Sequence, residues 1–296
     1  MKKEKTNYAL GFFDGVHLGH QALLAACRSL AAETGAKAGV VTFDGHPDAL
    51  VRGQAPRLIN SIEDRQRLLR QQGMETIVTL PFDEEMMRLP WQEFFGLLTE
   101  NYGAAGLVCG SDFRFGYRGE GTADKLRAAC EAAGIPCVIV PEQTVDGVRV
   151  SSTHIRALIE NGEMETAVKF LGHPHILTET VVTGQQLGRK IGIPTANLHL
   201  VARLLVPKFG VYACRIHTDR GEFSAVTNVG TRPTVDGNGV TVEPWILDFD
   251  GDLYGKTVTL EFHAFLRPEK KFSSLEELQT EIRKNAAQTR KFFEKS

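Results

Sequence analysis

Two histidines three residues apart, His17 and His20, stand inside the run Gly11-Phe12-Phe13-Asp14-Gly15-Val16-His17-Leu18-Gly19-His20-Gln21. An apolar strand-like run, Tyr8-Ala9-Leu10, precedes it, and a helix-like run over 22–30 follows. Residues three apart at a helix start share a face. A helix N-terminus carries unpaired N–H groups and a partial positive charge, which together attract phosphate. Two imidazoles beside it add donors to phosphate oxygens. The string therefore predicts a nucleotide phosphate site built from Gly11, Asp14, Gly15, His17 and His20. Either histidine alone reads more simply as a surface or core side chain, so the chemistry rests on the whole strand–turn–helix string.

Further groups with chemical potential follow along the chain. Ser151-Ser152-Thr153-His154-Ile155-Arg156 places hydroxyls at a helix start with a guanidinium one turn on. Ser152, Thr153 and Arg156 suit a polyphosphate, against the simpler reading of an N-cap beside a surface arginine. Gly188-Arg189-Lys190-Ile191-Gly192-Ile193-Pro194-Thr195-Ala196-Asn197 is a glycine-punctuated loop. It lacks the G-x-x-x-x-G-K-[ST] pattern of a Walker loop. Thr195 and Asn197 offer neutral oxygens suited to Mg²⁺ that keeps waters and nucleotide phosphates; a Thr/Asn-stabilised turn is the plainer alternative. Glu243, in the apolar run Val242-Glu243-Pro244-Trp245-Ile246-Leu247, is either a buried ion-pair member or a base. Asp248-Phe249-Asp250-Gly251-Asp252 fails the spacing of a calcium loop and reads as a turn.

The elements that must position these groups fall into two patterns. From residue 8 to about 140, strand-like runs (38–43, 76–80, 106–109, 136–140) alternate with helical ones (61–72, 90–101, 123–133). Such alternation predicts a parallel α/β sheet, whose ligands sit beyond the carboxyl ends of its strands. The opening motif and Gly110-Ser111-Asp112-Phe113 both occupy such ends. Residues 155–171 read as two short helices broken near Asn161-Gly162. After about His175 the pattern changes to short, glycine-rich strands at 178–183, 210–217, 223–229, 241–249 and 257–265, then one long helix over 273–293. That predicts a small β-barrel closed by a helix, with domains over 1–172 and 173–296.

Composition sets the outer limits. The 296 residues are 42% hydrophobic and 24% charged, with a net charge of −2. This is globular composition that calls for no polyanionic partner. Five cysteines, with no C-x-x-C pair, disfavour a disulfide framework or zinc cluster and suit a reducing cytoplasm. No run reaches the roughly 18–20 apolar residues of a membrane span. The expected partners are small molecules, with no nucleic acid and no membrane. The sequence does not specify an oligomeric state.

The motifs converge on a resemblance. Residues 11–21 resemble the HxGH signature of nucleotidyltransferases and, with their flanks, the bacterial bifunctional riboflavin kinase/FMN adenylyltransferase (FAD synthetase) family. Thr42-Phe43-Asp44-Gly45-His46-Pro47 is similar to that family's T-F-x-P-H-P segment, with Gly45 in place of proline. Residues 110–116 resemble its G-x-D-F-x-F-G segment, with Phe113 and Phe115 read as core packing. Residues 151–156 resemble its S-S-T-x-I-R segment, with His154 where arginine is common. In the second half, Pro194-Thr195-Ala196-Asn197, Gly210-Val211-Tyr212, Asn228-Val229-Gly230, Glu243 and residues 266–272 resemble a riboflavin kinase domain.

The resemblance implies a nucleotidyltransferase-type Rossmann-like domain followed by a Greek-key barrel. It implies ATP as co-substrate, Mg²⁺ at Thr195 and Asn197, and riboflavin, FMN and FAD as substrates and products. His17 and His20 are then catalytic in adenylyl transfer, and Glu243 is the general base of the kinase. Gly188 and Lys190 join the ATP-phosphate group, and Asp112, Asn228 and Arg267 contact flavin. Departures stand at Phe12, commonly asparagine in the family, at Pro244-Trp245, usually an aliphatic–His pair, and at Asn285, commonly aspartate. The competing expectations are a chain that retains only the kinase, or a flavin- or nucleotide-binding regulator.

Overall fold

The computed structural model describes residues 5–183, 192–200, 203–234 and 237–295. The chain divides into two compact units, one of Met1–Arg57 and Arg65–Ser151, the other of Leu58–Asp64 and Ser152–Ser296.

The first unit is a parallel sheet. Its strands β1 (Thr6–Leu10), β2 (Lys37–Phe43), β3 (Thr76–Leu80), β4 (Ala104–Gly110) and β7 (Cys137–Val140) lie in the order β3-β2-β1-β4-β7. Every pairing is parallel. All five residues of β1 are buried, as a central strand covered on both faces requires. Helix α1 (Leu18–Thr34) buries Leu23, Leu24, Cys27, Leu30 and Ala31 against the sheet. The remaining helices of the first half are α2 (Asp48–Val51), α3 (Ile62–Gln71), α4 (Glu84–Arg88), α5 (Trp91–Gly96), which continues into a π-turn over Leu97–Asn101, and α6 (Ala123–Ala132). Ser61 caps α3, its Oγ accepting from the Asp64 N–H at 3.0 Å. Two short hairpins, β5/β6 (Arg114–Phe115, Gly121–Thr122) and β8/β9 (Thr144–Val145, Val148–Arg149), decorate the loops. Phe115 belongs to the core with Tyr8, Leu10, Leu107 and Leu126, and Phe113 packs against it. The connection after β1 leads to β2 on one side, while β4 lies on the other. This is a topological switch point, and it opens beyond the carboxyl ends of β1 and β4.

The second unit begins with α7 (Ser152–Asn161) and α8 (Met164–Leu171), broken at Gly162. Strands β10 (His175–Thr180), β11 (Leu198–His199), β12 (Gly210–Thr218), β13 (Gly221–Thr234), β14 (Gly237–Ile246) and β15 (Thr257–Pro268) form a sheet ordered β10-β15-β12-β13-β14-β11. The meander β12-β13-β14, with β15 returning beside β12, is a Greek key. A bridge from Val182 to Asn197, with the Val182 N–H donating to the Asn197 carbonyl at 2.9 Å, ties the β10 side to the β11 side and closes the sheet. Helix α9 (Leu275–Glu294) covers one face, where Ala286 packs with Val211, Val226 and Leu247. Residues 58–64 serve this unit: Leu58 bridges Leu204, and the buried Asp64 carboxylate accepts from the Thr178 N–H and hydroxyl at 3.1 and 2.5 Å.

Candidate active sites

The first site is built on the turn between β1 and α1. Gly15, at φ +83°, supplies the left-handed backbone the turn requires. Phe13 and Val16 also take positive φ, +59° and +39°. For a β-branched residue this is strained backbone, found where a turn is over-determined by its surroundings. Both side chains are fully buried. The Val16 N–H donates to the Phe13 carbonyl at 3.1 Å, and Gln21 Nε2 donates to the Val16 carbonyl at 3.0 Å. Asp14 and His17 are buried beside them.

His17 is the N-cap of α1, its Nδ1 accepting from the His20 N–H at 3.3 Å. An accepting Nδ1 places the proton of the neutral ring on Nε2, so His17 presents a donor. The two imidazoles stack, with centroids 3.6 Å apart and planes 14° from parallel. The Phe13 ring meets His20 edge-on at 5.2 Å. Burial holds His20 well below the usual imidazole range, and the charges of His17 and Arg65 push the same way. His20 Nδ1 is buried and finds no hydrogen-bond partner among the described residues. The pair thus offers neutral imidazole donors at a helix N-terminus.

Asp112 lies past the end of β4 and pairs with Arg149 at 2.5 Å; Arg149 also meets Glu142 at 2.9 Å. In the second unit, Ser152 and Thr153 open α7, and Arg156 follows one turn on. His154 packs edge-on against Phe170 at 4.8 Å. Gly188 and Lys190 lie outside the described residues.

The second site is a cavity of about 300 Å³ between the barrel face and α9. Strand register aligns its wall. Val211 faces Asn228 and Arg267, Asn228 faces Glu243, and Val226 faces Trp245. Alternation along each strand then puts these side chains on one face. Helix α9 adds Leu278, Ile282 and Asn285. Glu243 accepts from Thr241 Oγ1 at 3.2 Å. Arg267 Nε donates to Asn285 Oδ1 at 3.1 Å and lies 3.6 Å from Glu281. Burial pulls the Arg267 guanidinium below its usual range, and the Glu281 charge opposes the shift.

The Pro194–Asn197 segment runs alongside β14. Thr195 bridges Trp245, and the Ala196 N–H donates to the Pro244 carbonyl at 2.9 Å. On its other side is a second cavity of about 340 Å³, lined by Val181, Pro194, Ile246, Phe249, Leu253 and Tyr254 among others. Thr195 lines both cavities.

Of the residues singled out from sequence, Thr195, Asn228, Glu243 and Arg267 thus share one cavity, while Asn197 is buried at the barrel seam and lines neither. Sequence reasoning missed the second cavity, whose wall consists of ordinary apolar residues and a turn. It also missed Arg65, which contacts the Phe12 carbonyl in the first site. Its signal was position: Arg65 precedes Leu68 and Leu69 by three and four residues, on the inward face of α3.

Comparison with known proteins agrees with this division. The FAD synthetase family matches residues 1–154, and the riboflavin kinase family matches residues 171–293. Bifunctional riboflavin kinase/FMN adenylyltransferase of Listeria monocytogenes is 34% identical, over 97% of this chain and 92% of its own. The protein of that name from Pseudomonas fluorescens is 36% identical, over 95% and 91%. A crystal structure named as a macrolide-efflux protein from Streptococcus pneumoniae superposes with a TM-score of 0.88 at 32% identity, over 98% of this chain and 95% of that one. Among the described residues no helix is long and apolar enough to cross a membrane. With both modules present in order and relatives aligned along nearly its whole length, the chain belongs to the bifunctional riboflavin kinase/FMN adenylyltransferase family.

Proposed function

We propose that the chain phosphorylates riboflavin to FMN in its barrel unit and adenylylates FMN to FAD in its parallel-sheet unit, with ATP as donor in both. The modules are taken as 1–172 and 173–296, and the setting as a cytoplasm that keeps the five cysteines reduced. The observation that carries the kinase reading is Thr195, which stands between two cavities while Glu243 lines one of them.

Phosphoryl transfer needs a donor and an acceptor in line. The 340 Å³ cavity, lined by Val181, Pro194, Ile246, Phe249 and Tyr254 and by the Asp250-Gly251-Asp252 turn, offers apolar and aromatic surface for a purine beside polar groups. The 300 Å³ cavity, with Trp245, Val211 and Ile282, suits an aromatic ring system. A protonated alcohol is a poor nucleophile. Glu243 is the carboxylate that accepts the ribityl hydroxyl proton as the phosphorus is attacked, and Arg267 and Asn228 orient the flavin. Thr195, which borders both cavities, offers a neutral oxygen that fits a hard cation; on the family resemblance Asn197, which lines neither cavity, would join it in holding Mg²⁺, which neutralises phosphate charge.

Adenylyl transfer makes a different demand. The FMN phosphate is already anionic, so no base is needed. What must be stabilised is charge on the α-phosphate as pyrophosphate leaves. The imidazoles of His17 and His20 and the N–H groups opening α1 provide neutral, fixed donors. Gly11, Asp14 and Gly15 shape the turn that holds them. Asp112 is assigned to flavin, and Ser152, Thr153 and Arg156 to nucleotide phosphate, on the family resemblance.

The test is direct. Purified protein with riboflavin, ATP and Mg²⁺ should yield FMN and then FAD by chromatography. FMN alone would reduce the chain to a kinase, and binding without product would make it a regulator. Glu243→Gln should slow FMN formation by about 10²–10⁴-fold, while FAD formation from supplied FMN stays at the parent rate. A variant that phosphorylates normally would remove Glu243 as base.

A further inference from the structure

Arg65 is the largest side chain in the described residues to be fully buried, with 1% of its surface exposed. Its guanidinium donates to two main-chain carbonyls that belong to different strand ends. Nη1 reaches the Phe12 carbonyl at 3.0 Å and Nη2 the Phe43 carbonyl at 2.6 Å. The same Phe12 carbonyl accepts from Thr42 Oγ1 at 2.9 Å. The guanidinium also lies over the Phe12 ring, 4.4 Å from its centroid, and that ring meets His46 edge-on at 4.8 Å. Phe12 opens the strained turn that ends in His17 and His20. Phe43 ends β2 and leads to His46. A planar fork of fixed donors can hold both carbonyls at once, whereas an ammonium is a point charge without that geometry.

We propose that Arg65 is the positioning residue of the adenylyl-transfer site, tying the turn that carries His17 and His20 to the end of β2 so that both imidazoles are aimed before nucleotide arrives. The proposal rests on the transferase reading of the first unit. Arg65 grips backbone and acts through the histidines. Phe13 and Val16, at positive φ within the turn, would relax toward ordinary backbone without such a clamp. The positive charge also stands near His20 and, with burial and His17, keeps that ring neutral. The arrangement further explains how phenylalanine is accommodated at position 12: its ring is the surface on which the guanidinium rests.

The test uses the full chain, whose kinase reaction serves as an internal control for folding. Arg65→Lys keeps the charge but loses the fork. Its kcat for FAD formation should fall about tenfold or more, with KM for ATP changed less than about threefold and FMN formation within about twofold of the parent. In Arg65→Met, histidine NMR should show His20 titrating at higher pH than in the parent, because a neighbouring positive charge is gone. An Arg65→Lys protein with unchanged FAD formation would overturn the proposal, as would one that loses both activities together, or an Arg65→Met protein with His20 titration unmoved. Should Arg65→Met fail to fold, kcat of Arg65→Lys decides. If the unaltered chain forms no FAD, the transferase reading itself fails, whereas a parent that forms FAD beside an Arg65→Lys protein of equal kcat refutes the clamp alone.

Discussion

At the scale of single residues, the two sites solve opposite electrostatic problems. In the first, burial keeps the His20 ring neutral, so it can offer a donated hydrogen bond rather than standing charge. The second places a carboxylate and a guanidinium in one cavity. Arg267 is held there by Asn285, which is 1% exposed and also donates to Gln288 at 3.2 Å. Asn285 is one of the departures from the family pattern, yet its carbonyl oxygen accepts from the arginine Nε in the manner open to a carboxylate. Asn285→Ala leaves Glu281, at 3.6 Å, as the neighbour of that nitrogen. Loss of a hydrogen bond to a charged group should raise KM for riboflavin about tenfold, with a smaller change in kcat. Steady-state kinetics of FMN formation check this, and an unchanged KM would remove Arg267 from flavin binding.

At the scale of elements, α9 is both lid and wall. Its start is a variant of the capping box, in which Glu277 reaches back to Ser273, one residue before the N-cap Ser274. Ser274 Oγ accepts from the Glu277 N–H at 3.1 Å, and the Glu277 carboxylate accepts from the Ser273 N–H and hydroxyl at 2.9 and 2.8 Å. Those bonds, with Lys270, hold the Glu277 carboxyl down at about 2. The next turns carry Leu278, Ile282 and Asn285 into the cavity. Ser274→Ala should cost about 1 kcal/mol of helix stability and loosen that wall. The expected outcome is weaker riboflavin binding with FAD formation from supplied FMN intact. Equal losses in both reactions would show that the cap matters for folding alone.

At the scale of the molecule, acid should weaken both units through buried neutral histidines. Burial depresses His175 to about 4 and lowers His20 in the same direction. The unfolded chain takes up a proton below about pH 6.5, while folded His175 stays neutral until about pH 4. The unfolded state therefore binds more protons across that window. Stability contributed by neutral His175 is fully present above about pH 6.5 and is lost as pH falls toward 4, at up to roughly 1.4 kcal/mol per pH unit. His175 Nδ1 is buried without a hydrogen-bond partner among the described residues, and its ring packs against Phe262 with centroids 5.6 Å apart. An apolar replacement, His175→Leu, should flatten the fall in thermal midpoint between pH 7 and pH 5. A variant as acid-sensitive as the parent would refute the assignment.

The sequence by itself determined the alternation of strands and helices in the first half, the change to short strands near His175, and the strand-end placement of both glycine-rich motifs. These are local properties. Period, turn residues and caps such as Ser61 and Ser274 act within a few positions. Only the tertiary structure decided that Thr195, Glu243 and Arg267 share a cavity, because strand register and the Val182–Asn197 closure join residues up to 72 positions apart. It also decided that residues 58–64 serve the second unit, through Asp64 and Thr178, 114 positions apart. A buried polar group takes its partners from whatever the fold brings within hydrogen-bond reach, and that reach is set by packing, not by sequence distance.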